Sequence, residues 1–172
     1  TQGTATLAHC ELRYGGGENG GMVTTYGTTP TIRDCLFRDS GEDGIWMRPS
    51  TVDNTVYPAN ATIVDCEFRN NRDDGIDIDH DSTTPPTVAT PVIHACHFEG
   101  NDHDAIVLHD NVFPDFDANT IPSVAGCRNS VNHQGDINAS GTLEIPGPGV
   151  AYLIENVLMI RPGAVVTIEP GA

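Results

Sequence analysis

The chain contains no lysine, and its only fixed cations are eight arginines set against 24 acidic residues, for a net charge of −16. A field of that sign repels nucleic acid and anionic lipid, so neither is an expected partner. It suits calcium, cationic partners or a saline medium. Aromatic residues are sparse, at 6% of the 172 residues. No apolar run approaches the roughly 20 residues of a membrane helix, so membrane insertion is not expected. The first residues, Thr1, Gln2, Gly3 and Thr4, have neither a basic nor an apolar leader character. An export signal is therefore expected to be removed or to lie outside this stretch. Five cysteines are an odd number, and no C-x-x-C pair or zinc-like Cys/His spacing accompanies them.

The cysteines instead mark a repeat. Residues 6–13, 31–38, 62–69, 92–99 and 123–130 align on Cys10, Cys35, Cys66, Cys96 and Cys127, which stand 25, 31, 30 and 31 residues apart. A second block follows the middle three at fixed distance: residues 42–47, 73–78 and 103–108. Periods in this range are the mark of a solenoid. Each block reads as a short strand with period-2 alternation, and a third short strand precedes each cysteine. Cys66 shares a face with Phe68, and Ile76 shares one with Ile78. Gly, Asn, Asp and Pro punctuate the joins.

Three strands per repeat describe one coil of a right-handed, single-stranded parallel β-helix, an all-β solenoid of about five to six coils. Stacking coils about 4.8 Å apart pairs each strand with its counterparts above and below. Like residues then pile into columns. The expected columns are the five cysteines, Leu12 with Phe37, Phe68 and Phe98, and Ile45 with Ile76, Ile106 and Ile137. Asn129 breaks the aromatic column in the fifth coil. The cysteines read as small core hydrophobes rather than as bridges or nucleophiles.

With these blocks in place, the chain resembles the parallel β-helix repeats of the pectate-lyase-like superfamily over roughly residues 5–140. The carriers are the segments Asp43-Gly44-Ile45 and Asp74-Gly75-Ile76, with Asn70 and Asn71, or Gly100 and Asn101, ahead of the block. Residues 152–172 resemble the opening coil of large bacterial surface β-helix proteins. Residues 1–141 are thus expected to form coils of one unit, and 142–172 a further coil of the kind that begins another. Two explanations stand: a piece of a longer protein, or a subunit whose open ends stack head to tail into a filament.

Function is expected on outward positions. Asp77, Asp79, His80 and Asp81 form the candidate metal cluster, with calcium as the cation, because hard oxygen ligands on one strand face suit it. Asp43, Asp74 and Asp104 should stack at a turn, where they either hold a cation or accept backbone N–H bonds. Trp46, Arg48 and His109 face outward on the second block. Tyr57, Phe113 and Phe116 lie on long connections, residues 49–61 and 110–122, which either recognise a ligand such as a polysaccharide or fold back over the flank.

The resemblance also implies lyase-like or hydrolytic chemistry on uronates. Arg13, Arg38 and Arg69 form an outward ladder, but there is no lysine, and the Gly-His-Gly and Arg-Ile-Lys elements of polygalacturonases are absent. The primary expectation is a noncatalytic structural or adhesive module, extracellular or at the cell surface. The alternative is a calcium-dependent polysaccharide-binding or polysaccharide-cleaving β-helix.

Overall fold

The computed structural model describes residues 3–17, 20–80, 87–122, 127–128 and 130–172, and among them there is no helix. The first coil holds β1 (Thr6–Ala8), β2 (Glu11–Arg13) and β3 (Val23–Tyr26). The second holds β4 (Thr31–Arg33), β5 (Leu36–Arg38) and β6 (Ile45–Arg48), followed by an excursion of β7 (Ser50–Val52) and β8 (Thr55–Tyr57). The third holds β9 (Thr62–Val64), β10 (Glu67–Arg69) and β11 (Ile76–Ile78). The fourth holds β12 (Val92–His94), β13 (His97–Glu99) and β14 (Ile106–His109). The fifth holds β15 (Asp115–Asp117), β16 (Val131–Ile137) and β17 (Gly141–Leu143). The sixth holds β18 (Tyr152–Leu153), β19 (Leu158–Ile160) and β20 (Val166–Ile168).

Strands of successive coils pair in parallel and in register. The first sheet runs β1-β4-β9-β12-β15, the second β2-β5-β10-β13, and the third β3-β6-β11-β14-β16-β18. Antiparallel pairing is confined, among named strands, to the β7–β8 hairpin. Asp53 and Asn54 form its two-residue turn with φ of 48° and 59°, the left-handed pair that a tight hairpin requires.

The register lays like residues over one another. Ile32, Ile63 and Ile93 form one buried column. Phe37, Phe68 and Phe98 form another, with ring centroids 5.0 and 4.9 Å apart and planes within 8° of parallel. Ile45, Ile76 and Ile106 form a third, beside Met47, Ile78 and Leu108. Cys35, Cys66 and Cys96 stand at one corner, each no more than 3% exposed. They carry free thiols.

The corners follow a backbone rule. His9, Asp34, Asp65, Ala95 and Ala118 adopt φ between 52° and 54°, one in each of the first five coils, just after the first strand. A polar ladder lies beneath the next turn. The Ser40 N–H donates to Asn71 Oδ1 at 3.2 Å, and Asn71 donates to Asn101 Oδ1 from its backbone at 3.2 Å and from Nδ2 at 3.0 Å. The turn aspartates do the same: the Asp74 N–H meets Asp43 Oδ1 at 3.1 Å, and the Asp104 N–H meets Asp74 Oδ1 at 2.7 Å. Asp43 and Asp74 thus accept backbone N–H bonds, while Asp104 accepts from the Ser130 hydroxyl and the Asn132 amide. Beyond them, Gly44 and Gly75 permit close stacking. A Cβ on Gly75 would sit 2.5 Å from the Ala105 carbonyl oxygen and 2.7 Å from Phe98 Cδ1.

The fifth coil corrects the expected alignment. β15 stacks on β12 with Asp115 over Val92 and Phe116 over Ile93, so Asn119, not Cys127, continues the cysteine corner. Asn119 is fully buried, accepts the Cys96 N–H at 2.9 Å and donates to the Ile93 carbonyl at 2.7 Å. Those two backbone bonds give an amide an advantage there that a thiol lacks. Cys127 is half-exposed, and residues 123–126 and 129 of the expected segment lie outside the described residues. Val131 rather than Ile137 continues the isoleucine column, because Ile106 pairs with Val131 while Ile137 pairs with Ile160.

Candidate functional site

Alternation along the third sheet turns Ile76 and Ile78 inward and Asp77 outward. Register then sets Thr24, Trp46, Asp77, Val107 and Asn132 in one outward row. A second row begins with Tyr26 and Arg48 and includes His109 with Gln134. Asp79 joins this face just past β11, where its N–H donates to the Met47 carbonyl at 2.8 Å.

These side chains converge. Asp79 Oδ2 accepts the Trp46 indole N–H at 3.1 Å and lies 3.2 Å from Arg48 Nε. The Arg48 guanidinium stands 4.6 Å from the Trp46 ring centroid and 5.9 Å from that of Tyr26, within cation–π range of both. His109 Nε2 lies 3.1 Å from Asp77 Oδ1 and 3.7 Å from Asp79 Oδ1. Beside them opens a cavity of about 270 Å³ lined by Arg48, Pro49, Asp79, His80, His109 and Asp110.

The electrostatics follow from that geometry. Burial alone would lower the His109 pKa, but the bond to Asp77 and the fields of Asp77, Asp79 and Asp110 outweigh it and raise it above the ordinary imidazole value. Burial pushes the Asp77 carboxyl up as well, so both partners of this contact favour holding a proton. Asp79, hydrogen-bonded to Trp46, ion-paired with Arg48 and facing His109 at 3.7 Å, is the anchor of the cluster. Such a face offers fixed donors and acceptors beside aromatic rings, the chemistry that grips a polyol.

Each sequence-derived candidate can now be placed. Trp46, Arg48, Asp77, Asp79 and His109 are brought together. His80 is buried, 3% exposed, with Nε2 3.0 Å from Thr87 Oγ1, and it borders the cavity rather than joining the Asp77–His109 contact. Asp81 lies outside the described residues. Tyr57 is half-buried on β8, its Cβ close to where a Cβ on Gly27 would be, at 2.9 Å. Phe113 and Phe116, named as binding residues, lie in the interior at 6% and 7% exposure, in keeping with the alternative that their connection folds back over the flank. Phe116 fills the isoleucine column, and Phe113 meets the His133 ring edge-on at 6.1 Å.

Tyr26 and Asp110 were missed. The first coil carries Gly21, Met22 and Val23 where later coils have Asp-Gly-Ile, so its third strand gave no repeat signal. Its alternation over residues 23–26 was the available clue.

Among the described residues, two groups have the donors for a cation. Single ligand atoms of Asp77, Asp79 and His109 lie within 4.8 Å of one another, as do those of Asp73, Asp74 and His103. In the second, His103 Nδ1 sits 2.5 Å from Asp73 Oδ1. The arginine ladder holds no comparable centre. Arg38 meets Glu11 at 2.8 Å, and Arg69 meets Glu67 at 2.9 Å and Glu99 at 3.4 Å, all solvated pairs.

Comparison with known proteins completes the description. No curated protein and no solved structure matches the chain significantly. A family model described as "Right handed beta helix region" matches residues 1–121. With in-register parallel sheets running through those residues, the chain belongs to the right-handed β-helix family.

Proposed function

We propose that this chain is a noncatalytic β-helix module of an extracellular or cell-surface protein, and that it holds a polysaccharide on the outward face of its third sheet. The observation that carries the reading is the convergence of Trp46, Arg48 and His109 on the Asp77–Asp79 pair, beside a 270 Å³ cavity. Its donors are fixed by sheet register rather than by loops, so little ordering is needed on binding. In this reading saccharide binding requires no calcium, because His109, whose pKa the neighbouring carboxylates raise, can bring a proton to them. Calcium would compete with that proton for the same oxygens.

An array of neutral and uronate oligosaccharides, probed with and without calcium, tests this. Binding is expected without calcium, with no bond cleavage in the bound sugars. Trp46→Ala and Asp79→Asn should each weaken it by about tenfold or more, the effect of losing one or two buried hydrogen bonds. Equal binding by both variants, or none by the wild type, would rule the reading out. Turnover that disappears on changing Asp77 or Asp79 would replace it with an enzymatic one.

End-to-end self-association is the companion proposal. Val157, Ile160, Val165 and Ile168 of the sixth coil are between 52% and 67% exposed, and apolar coil surfaces of this kind are covered by a neighbouring coil in longer solenoids. Sedimentation should show assembly growing with concentration; a single monomeric species throughout would count against it.

A further inference from the structure

The cavity beside the saccharide face is lined by two carboxylates, and only one of them has a close cation. Arg48, Asp79, His109 and Asp110 border its 270 Å³, together with Pro49 and His80. Arg48 is already engaged: its Nε lies 3.2 Å from Asp79 Oδ2, and its guanidinium packs against the Trp46 ring at 4.6 Å. His109 is engaged in turn, with Nε2 3.1 Å from Asp77 Oδ1. Among the described residues, no arginine or histidine forms a close ion pair with Asp110.

The fifth coil fixes where the Asp110 carboxylate stands. Gly135, with φ of 97°, passes so close that a Cβ there would lie 2.3 Å from Asp110 Oδ1. The Asp136 N–H donates to the same oxygen at 2.6 Å. Burial, chiefly, and the field of Asp136 hold the Asp110 carboxyl above its ordinary pKa, so the protein's own groups leave its charge incompletely offset.

That inventory discriminates among sugars. A uronate finds its cation taken, because the Asp79 carboxylate already accepts the Trp46 N–H and pairs with Arg48. It would also approach Asp110, and like charges brought together cost affinity. A neutral sugar leaves Asp110 without a counter-charge. An ammonium group brings three N–H donors and a positive charge together. The net charge of −16 also draws a cationic polymer in from solution.

Resting on the saccharide reading of this face, we infer that its ligand is a polysaccharide of amino sugars with free amines, one ammonium being held by Asp110. Asp79 is the residue that turns uronates away, because it fills the Arg48 guanidinium.

Isothermal titration of the whole chain at about pH 6 and about 0.15 M salt tests this with three probes: a glucosamine hexamer, its fully N-acetylated form and a galacturonate hexamer. Acetylation keeps the rings and hydroxyls and removes the charge. The free-amine hexamer is expected to bind at least about tenfold tighter than the acetylated one, the effect of one charge-assisted hydrogen bond, and galacturonate more weakly than both. Asp110→Asn keeps an oxygen for the Asp136 N–H, and in it the ratio of the first two affinities should fall to within about twofold. Asp117→Asn removes the same charge from β15, on another sheet, and should keep the wild-type ratio. Equal binding of the free and acetylated hexamers, galacturonate as tight as either, an unchanged ratio in Asp110→Asn, or the same loss of ratio in Asp117→Asn would each overturn the inference and leave the saccharide reading standing. Binding of none of the three would overturn both.

Discussion

Replacing Phe68 with alanine is expected to lower the unfolding free energy by about 3–5 kcal/mol, the cost of emptying a large aromatic site in a packed core. Phe68 is fully buried between Phe37 and Phe98, with centroids at 5.0 and 4.9 Å. Truncation removes both ring contacts, each worth about 0.5–1.5 kcal/mol beyond burial. The backbone ladder on either side prevents the coils from collapsing into the space. In a solenoid, stability is approximately a sum of coil and nearest-neighbour terms, so an interior position weakens two interfaces at once. Phe68→Leu should cost less, since Leu12 occupies the same row one coil before Phe37. Urea unfolding followed by circular dichroism measures the difference. A loss below about 1 kcal/mol for the alanine variant would mean that the stack does not hold the coils together.

The second large effect concerns pH. Burial pushes the Asp74 carboxyl up to about 9 and that of Asp43 up to about 7, and neighbouring aspartates add to it. An unfolded aspartate releases its proton near pH 3.9. Between that pH and the raised folded value, the folded chain holds a proton that the unfolded chain has lost. Stability therefore falls as pH rises, by about 1.4 kcal/mol per unit for each such group, until the folded pKa is passed. Asp43 contributes up to about pH 7 and Asp74 up to about pH 9.

Asparagine at position 74 keeps an oxygen acceptor for the Asp104 N–H and removes the titration. Asp74→Asn should therefore be more stable than the wild type at pH 9 by about 3 kcal/mol or more, and about equal to it near pH 4. The check is a series of urea midpoints from pH 4 to 9. A parallel pH dependence in the two proteins would show that Asp74 is ionised throughout. Buried His133 has the opposite sign. Burial lowers its pKa, so it withdraws stability as pH falls below the ordinary imidazole value of about 6.5.

The repeat in the sequence determined the architecture. Period-2 alternation around Phe37, Phe68 and Phe98, and around Ile45, Ile76 and Ile106, can bury its apolar face only if coils stack in register. The columns follow because parallel strands place equivalent residues over one another. The outward positions of Trp46, Asp77 and His109 followed from the same alternation. Register across distant segments was decided by the tertiary structure. The fifth coil begins at Asp115, where no cysteine marks it, because buried Asn119 satisfies two backbone groups that Cys127 could not. Phe116 looked like a loop residue because its inward direction depends on pairing with Ile93, 23 residues away. The cluster joining Arg48 to Asp79 and His109 to Asp77 was equally hidden, since its contacts run across coils. A linear pattern shows which face a residue takes on its own strand, whereas the partner above or below depends on how much chain each turn consumes.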